Sequence, residues 1–252
     1  MSRRSRGRQG LLPPLTPAPS SLTGKVLVLD LDETIIHSFS DYGELAKTLG
    51  THPRVKYFSQ NDLDSTRQGN GYSATMSVFV RPGLCDFLRF AFVYFRAVGI
   101  FTAGLPKYGY DIPSIATNVA KLCPQTLNTG GTFHFYLTRD DIDTKTELWE
   151  KPLEKVVDAL HERADRIGDP RLIDFWRDVT LNNVLILDDR NTAFCTSYPG
   201  NGVIIPPYEP TGDREGLEAK DEALSQFQAW LERPDVMRED NVTKLDKTGI
   251  FA

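Results

Sequence analysis

The sequence predicts an α/β protein: a Rossmann-like, mostly parallel open sheet flanked by helices, with a small antiparallel β-hairpin insertion and no large cap domain. Three observations carry that expectation. Short apolar runs end abruptly in polar residues: VLVL before Asp30, AVGIF before Thr102, and VLIL before Asp188 and Asp189. Unbroken runs of this kind belong to strands covered on both faces. Between the first two lies GLCDFLRFAFVYF, which puts Leu84, Phe87, Leu88, Ala91, Phe92 and Phe95 on one helical face. Strands alternating with helices build a parallel sheet. Its ligand site lies outside the carboxyl ends of the strands, where all three polar clusters fall.

In chain order, residues 1–24 read as a disordered tail, with Arg3, Arg4, Arg6 and Arg8 ahead of a Pro/Ser/Thr-rich stretch. The arginines fit either a nuclear-import or anion-binding patch or a plain solvated tail. The folded domain spans 25–232. Within it, RVKYF and YSATMSVFV alternate in the manner of two antiparallel strands around a QGNGY loop. This pair is either a flap beside the site or a hairpin that extends the sheet. Leu224, Phe227, Trp230 and Leu231 form a stripe that should pack on the sheet, and 233–252 reads as a charged, mobile tail.

The net charge of −5 gives no reason to expect direct nucleic-acid binding. No apolar run approaches the roughly 20 residues of a membrane span. The three cysteines are scattered without a CxxC pair, which suggests neither a zinc site nor a disulfide framework and fits a reducing nuclear or cytoplasmic setting. LDKTG, residues 245–249, resembles the phosphorylation motif of P-type ion pumps, but without membrane spans it reads as coincidence.

The stretch VLVLDLDETIIHS poses the chemical question. Asp30, Asp32 and Glu33 stand at the edge of an apolar core, where carboxylates are costly unless a cation or proton compensates them. Taken with Thr102, a downstream lysine and the Asp188–Asp189 pair, this DxDxT block resembles the haloacid dehalogenase superfamily. DLDETIIHS, VRPGLCDFL and FTAGLPKYGYDI, in that order, resemble more narrowly the RNA-polymerase-II C-terminal-domain phosphatases and their small relatives, over about residues 25–205.

The resemblance implies a set of roles. Asp30 is the nucleophile that forms an aspartyl-phosphate, and Asp32 the general acid and then base. Mg²⁺ is bound by Asp30, the Asp32 main-chain carbonyl and Asp189. Thr102 and a lysine hold the phosphate. WEKPLEKVV favours Lys151, set by Pro152 at a helix entrance; Lys145 is its rival. Asp188 would orient that lysine, and Arg139 in YLTRDD is a candidate substrate contact. The chain departs from the family where TAG replaces TAS, where Arg190-Asn191 replaces Ser-Pro, and in a longer 152–182 segment, read as an added helical turn or two. The expected activity is a Mg²⁺-dependent protein serine/threonine phosphatase acting on a phosphoserine segment, such as one like the polymerase C-terminal domain. Small phosphoesters or phosphotyrosine are the alternative substrates, and a non-catalytic scaffold is the alternative class.

Overall fold

The computed structural model describes residues 21–61, 73–104, 123, 133–142, 149–167 and 170–252. Its strands are β1 (Val26–Leu29), β2 (Ile36–Phe39), β3 (Val55–Asn61), β4 (Ser73–Val80), β5 (Ala97–Phe101), β6 (Tyr136–Leu137), β7 (Val184–Asp188) and β8 (Gly202–Ile204). The helices are α1 (Glu44–Leu49), α2 (Leu84–Tyr94), α3 (Glu154–Ile167), α4 (Pro170–Arg177), α5 (Arg214–Glu218), α6 (Ala223–Leu231) and α7 (Pro234–Arg238).

β1 lies at the centre of a five-stranded sheet ordered β6-β5-β1-β7-β8, in which every pairing is parallel. All four β1 side chains are fully buried, because both faces are covered. Leu27 and Leu29 pack with Leu185, Leu187 and the apolar sides of α2 and α6. Val26 and Val28 point the other way and pack with Val184, Ile186 and Val156, Leu160 and Ala164 of α3. The period of two along each strand thus divides one sheet between two cores. Gly99 on β5 is required by close packing: a Cβ there would lie 2.3 Å from the Phe135 ring.

The two alternating segments do pair, antiparallel, as β3 and β4. They do not extend the main sheet. β4 also pairs with β2, directly after the DxDxT block, so the three strands form a separate sheet ordered β2-β4-β3. Asp41 fastens it, accepting from the backbone of Gly43, Leu45 and Ser77 and from the Ser77 hydroxyl. The QGNGY loop lies outside the described residues. The 152–182 segment is larger than an added turn or two: it forms the two helices α3 and α4.

Two expectations are corrected. Residues 233–252 are no mobile tail, since Val236, Val242 and Ile250 are buried in the core formed with α2 and α6. The buried Lys25 ammonium reaches Met237 O at 3.1 Å, and the Trp230 indole donates to Asp246 O at 3.0 Å. Lys247, the lysine of LDKTG, donates to the carbonyls of Gly200 and Val242 at 2.8 and 2.6 Å. A charged segment can be anchored by a few isolated apolar residues that show no period. Secondly, Cys85 and Cys123 form a disulfide, their Cα atoms 5.3 Å apart across 38 residues of sequence. The start of α2 meets Cys123 only through the tertiary fold, a proximity that cysteine spacing does not encode. Cys195 remains an exposed thiol.

Candidate active site

The parallel register determines which side chains meet. β1 pairs with β7 so that Leu29 lies opposite Leu187, which brings the next residues, Asp30 and Asp188, side by side. Both continue the alternation of Val26–Val28 and Val184–Ile186 and so face the α3 side of the sheet. Lys151 approaches from that side, just ahead of α3, and all three side chains are almost wholly buried. The Lys151 ammonium donates to Asp188 Oδ2 at 2.7 Å and makes a short contact with Asp30 Oδ1. Asp188 Oδ1 in turn accepts the Arg190 N–H at 2.9 Å.

Asp189 is half-buried, and Thr34, the last residue of the DxDxT block, ties it to the β1 loop. The Thr34 hydroxyl accepts the Asp189 N–H at 3.1 Å and lies 3.4 Å from Asp189 Oδ1. One oxygen from each of Asp30, Asp188 and Asp189 can be chosen so that all three lie within 4.8 Å of one another. The cluster holds the side chains of two expected metal ligands, Asp30 and Asp189, and adds Asp188; the expected contribution of Asp32 is a main-chain oxygen, not its carboxylate. Asp32 is partly exposed and sits within 3.5 Å of the Ser38 hydroxyl.

The Lys151 ammonium meets two carboxylates, and the third, Asp189, has Arg190 as its nearby cation. Burial pushes Asp30 up to about 7, against the pull of Lys151 and with Asp188 adding to the rise. Burial likewise raises Asp32 and Asp189 above the ordinary carboxylate range. For Lys151, burial works downward, but Asp30 and Asp188 overcome it and hold the ammonium above its usual value. Glu33, in left-handed backbone at φ 56°, is pushed up to about 7 by burial, then by Asp32 and Asp189. An all-oxygen donor set with surplus negative charge in partial burial suits a hard divalent cation such as Mg²⁺.

Thr102 follows β5 on the other side of β1 and is 1% exposed. Its hydroxyl accepts the Gly104 N–H at 2.9 Å, so the TAG sequence closes a tight loop without the serine of the family pattern. Arg139 is fastened to that loop: its Nε donates to Ala103 O at 2.6 Å and its N–H to Gly104 O at 3.1 Å. Lys145 lies outside the described residues. Sequence reasoning did not single out Thr34, Trp149 or Glu150. Thr34 was visible as the threonine of the motif; the other two carry no local signal beyond their place beside Lys151.

A profile of the NLI interacting factor-like phosphatase family matches residues 25–243. A search of curated protein sequences gave no match. Among solved structures, Fcp1, an essential RNA polymerase II CTD phosphatase, superposes with TM-score 0.50 at 22% identity, over 89% of this chain and 58% of that one. A fission yeast RNA polymerase II CTD phosphatase Fcp1 variant bound to beryllium fluoride superposes with TM-score 0.47 at 21% identity, over 82% of this chain and 49% of that one. The match therefore spans about half the length of those solved chains. The likeness to the first of these structures shows the haloacid dehalogenase fold, as expected from the sequence.

Proposed function

Since the chain belongs to the NLI interacting factor-like phosphatase family, we propose that it is a Mg²⁺-dependent protein serine/threonine phosphatase working through an aspartyl-phosphate. The observation that carries this reading is the convergence of the Asp30, Asp188 and Asp189 carboxylates, the first two on the ammonium of Lys151. A fold needs no such excess of buried negative charge, and one carboxylate fewer would leave the lysine paired.

In the first step an Asp30 oxygen forms the bond to phosphorus while the bond from phosphorus to the substrate oxygen breaks. Asp32 is the acid for the departing alkoxide; its raised pKa favours a carboxyl that still holds a proton to give. In the second step water attacks the same phosphorus, Asp32 takes its proton, and the Asp30–phosphorus bond breaks. Lys151 trades its contact with Asp30 for one to a non-bridging phosphate oxygen while Asp188 keeps hold of it. Thr102 and the backbone N–H groups of its loop bind the remaining oxygens. Asp30, the Asp32 main-chain oxygen and Asp189 would hold Mg²⁺, which would neutralise the carboxylates that otherwise repel an anionic substrate.

For the substrate we favour phosphoserine in an extended peptide resembling the polymerase C-terminal domain. The segment that follows the DxDxT block forms a small three-stranded sheet separate from the main one, and an insertion of that size suits a protein substrate better than an enclosed small molecule. The test is a panel of pSer-Pro peptides against sugar phosphates and phosphotyrosine, with and without Mg²⁺. Turnover of the serine peptides only with the ion is the expected outcome. Turnover of sugar phosphates alone would refute the peptide reading, and wild-type turnover no faster than Asp30→Asn would refute catalysis.

A further inference from the structure

Lys151 is the third of three consecutive residues that each grip a different part of the site. Trp149 grips the Thr102 loop. The Arg139 guanidinium lies 4.8 Å over the Trp149 ring, and the same guanidinium donates to Ala103 O at 2.6 Å. Glu150 grips the turn that follows Asp189. Its carboxylate accepts the N–H groups of Thr196 and Ser197 at 3.1 and 2.7 Å and the Ser197 hydroxyl at 2.7 Å. Lys151 itself adds a backbone N–H to Ala193 O at 2.8 Å in that turn.

The backbone that permits this arrangement is unusual. Trp149 sits at φ 53°, in the left-handed region. A bulky residue there is a true outlier, which persists only when its surroundings over-determine it. Here the surroundings are the stacked arginine on one side and the Glu150 contacts on the other.

We propose that Trp149 and Glu150 are positioning residues: between them they fix the Lys151 ammonium relative to both the Thr102 loop and the Asp188–Asp189 turn. Residues 149–151, together with Arg139, lock the two phosphate-facing loops on either side of β1 to one another, with the lysine at the join. This rests on the phosphatase reading for its kinetic consequence, but its geometric consequence stands alone.

The test uses Trp149→Gly, which keeps the left-handed backbone comfortable while removing the ring, and Glu150→Ala, at a half-exposed position that leaves the core intact. Trp149→Phe and Glu150→Gln are the conservative partners. The first readout is kcat and KM for p-nitrophenyl phosphate with Mg²⁺. The second is acetylation of Lys151 by acetic anhydride, followed by mass spectrometry. Displacement of a catalytic group by about 1 Å lowers rates on the order of 10²-fold, and a loss of that size in kcat is expected for Trp149→Gly, with recovery in Trp149→Phe. Lys151, protected in the wild type, should become acetylated in Trp149→Gly and Glu150→Ala at the pace of exposed lysines. Unchanged kcat together with a still-protected Lys151 would overturn the proposal, and should Trp149→Gly fail to fold, Glu150→Ala decides it. A wild type that turns over nothing, but whose Lys151 is uncovered by these substitutions, would refute the phosphatase reading and leave the positioning role standing.

Discussion

Two buried cations in this molecule meet carboxylates in opposite ways. Arg81, 1% exposed, gives Nε and Nη2 to Asp221 at 2.9–3.1 Å, Nη1 to Thr34 O at 2.9 Å and Nη2 to Pro206 O at 2.8 Å. One positive charge faces one negative charge, and the donors are used. Lys151, wholly buried, faces Asp30 and Asp188 directly, with Asp189 beside them. Balance marks the first as a structural joint between the β4–α2 corner and the segments around Pro206 and Asp221. Surplus marks the second as a site completed by something from outside. Burial alone does not separate structure from chemistry here; the sum of charge does.

The contrast can be broken by substitution. The largest effect expected is on turnover: Asp30→Asn should lower kcat on the order of 10⁴-fold or more, as loss of an essential nucleophile does, measured with Mg²⁺ on a phosphoserine peptide. Next comes Arg81→Met, which strands Asp221 and two carbonyls and should lower stability by about 3–5 kcal/mol, read from urea unfolding. Asp30→Asn should leave stability unchanged or slightly higher, because Lys151 and Asp188 then balance one to one. If Asp30→Asn destabilises as much as Arg81→Met, the charge-surplus account is wrong.

A smaller effect concerns pH. Asp30 and Glu33 are raised from their ordinary values to about 7. In the window from about pH 4 to about 7 the native state therefore binds more protons than the unfolded chain, and the metal-free protein should lose stability as pH rises. Asp30→Asn should flatten that slope in part, the remainder belonging to Glu33 and to Asp32 and Asp189, which burial also raises; thermal melts across the window would show it. The smallest expected effect is of Mg²⁺ itself: millimolar ion should raise the melting temperature of the wild type through mass action and do so less for Asp30→Asn.

What the sequence disclosed and what it hid follow the same divide between local and distant. The ends of β1, β5 and β7 were legible because a continuous apolar run and its polar stop are neighbours in the chain. Lys151 was legible because Pro152 and the periodic residues of α3 follow it. The partner of Arg81 was not, since Asp221 lies 140 residues away in a stretch without pattern. Nor was β2, whose four residues read as a continuation of the motif and become a strand only by pairing with β4. The C-terminal segment misled for a similar reason: Val236, Val242 and Ile250 are single apolar residues among charges, and only the fold shows that each finds a place in the core.

The central position of β1 has a consequence for the order of events during synthesis. The strand that bears Asp30 pairs with β5 some 70 residues later and with β7 some 158 residues later. Contacts so distant in sequence form late. A nascent chain that has not yet emerged past Asp189 carries Asp30 on a strand with one edge bare and without the neighbouring carboxylates that β7 brings. Any chemistry that needs Asp30, Asp188 and Asp189 together must wait for residue 189, and fragments ending before that point should be inert whatever ions they meet.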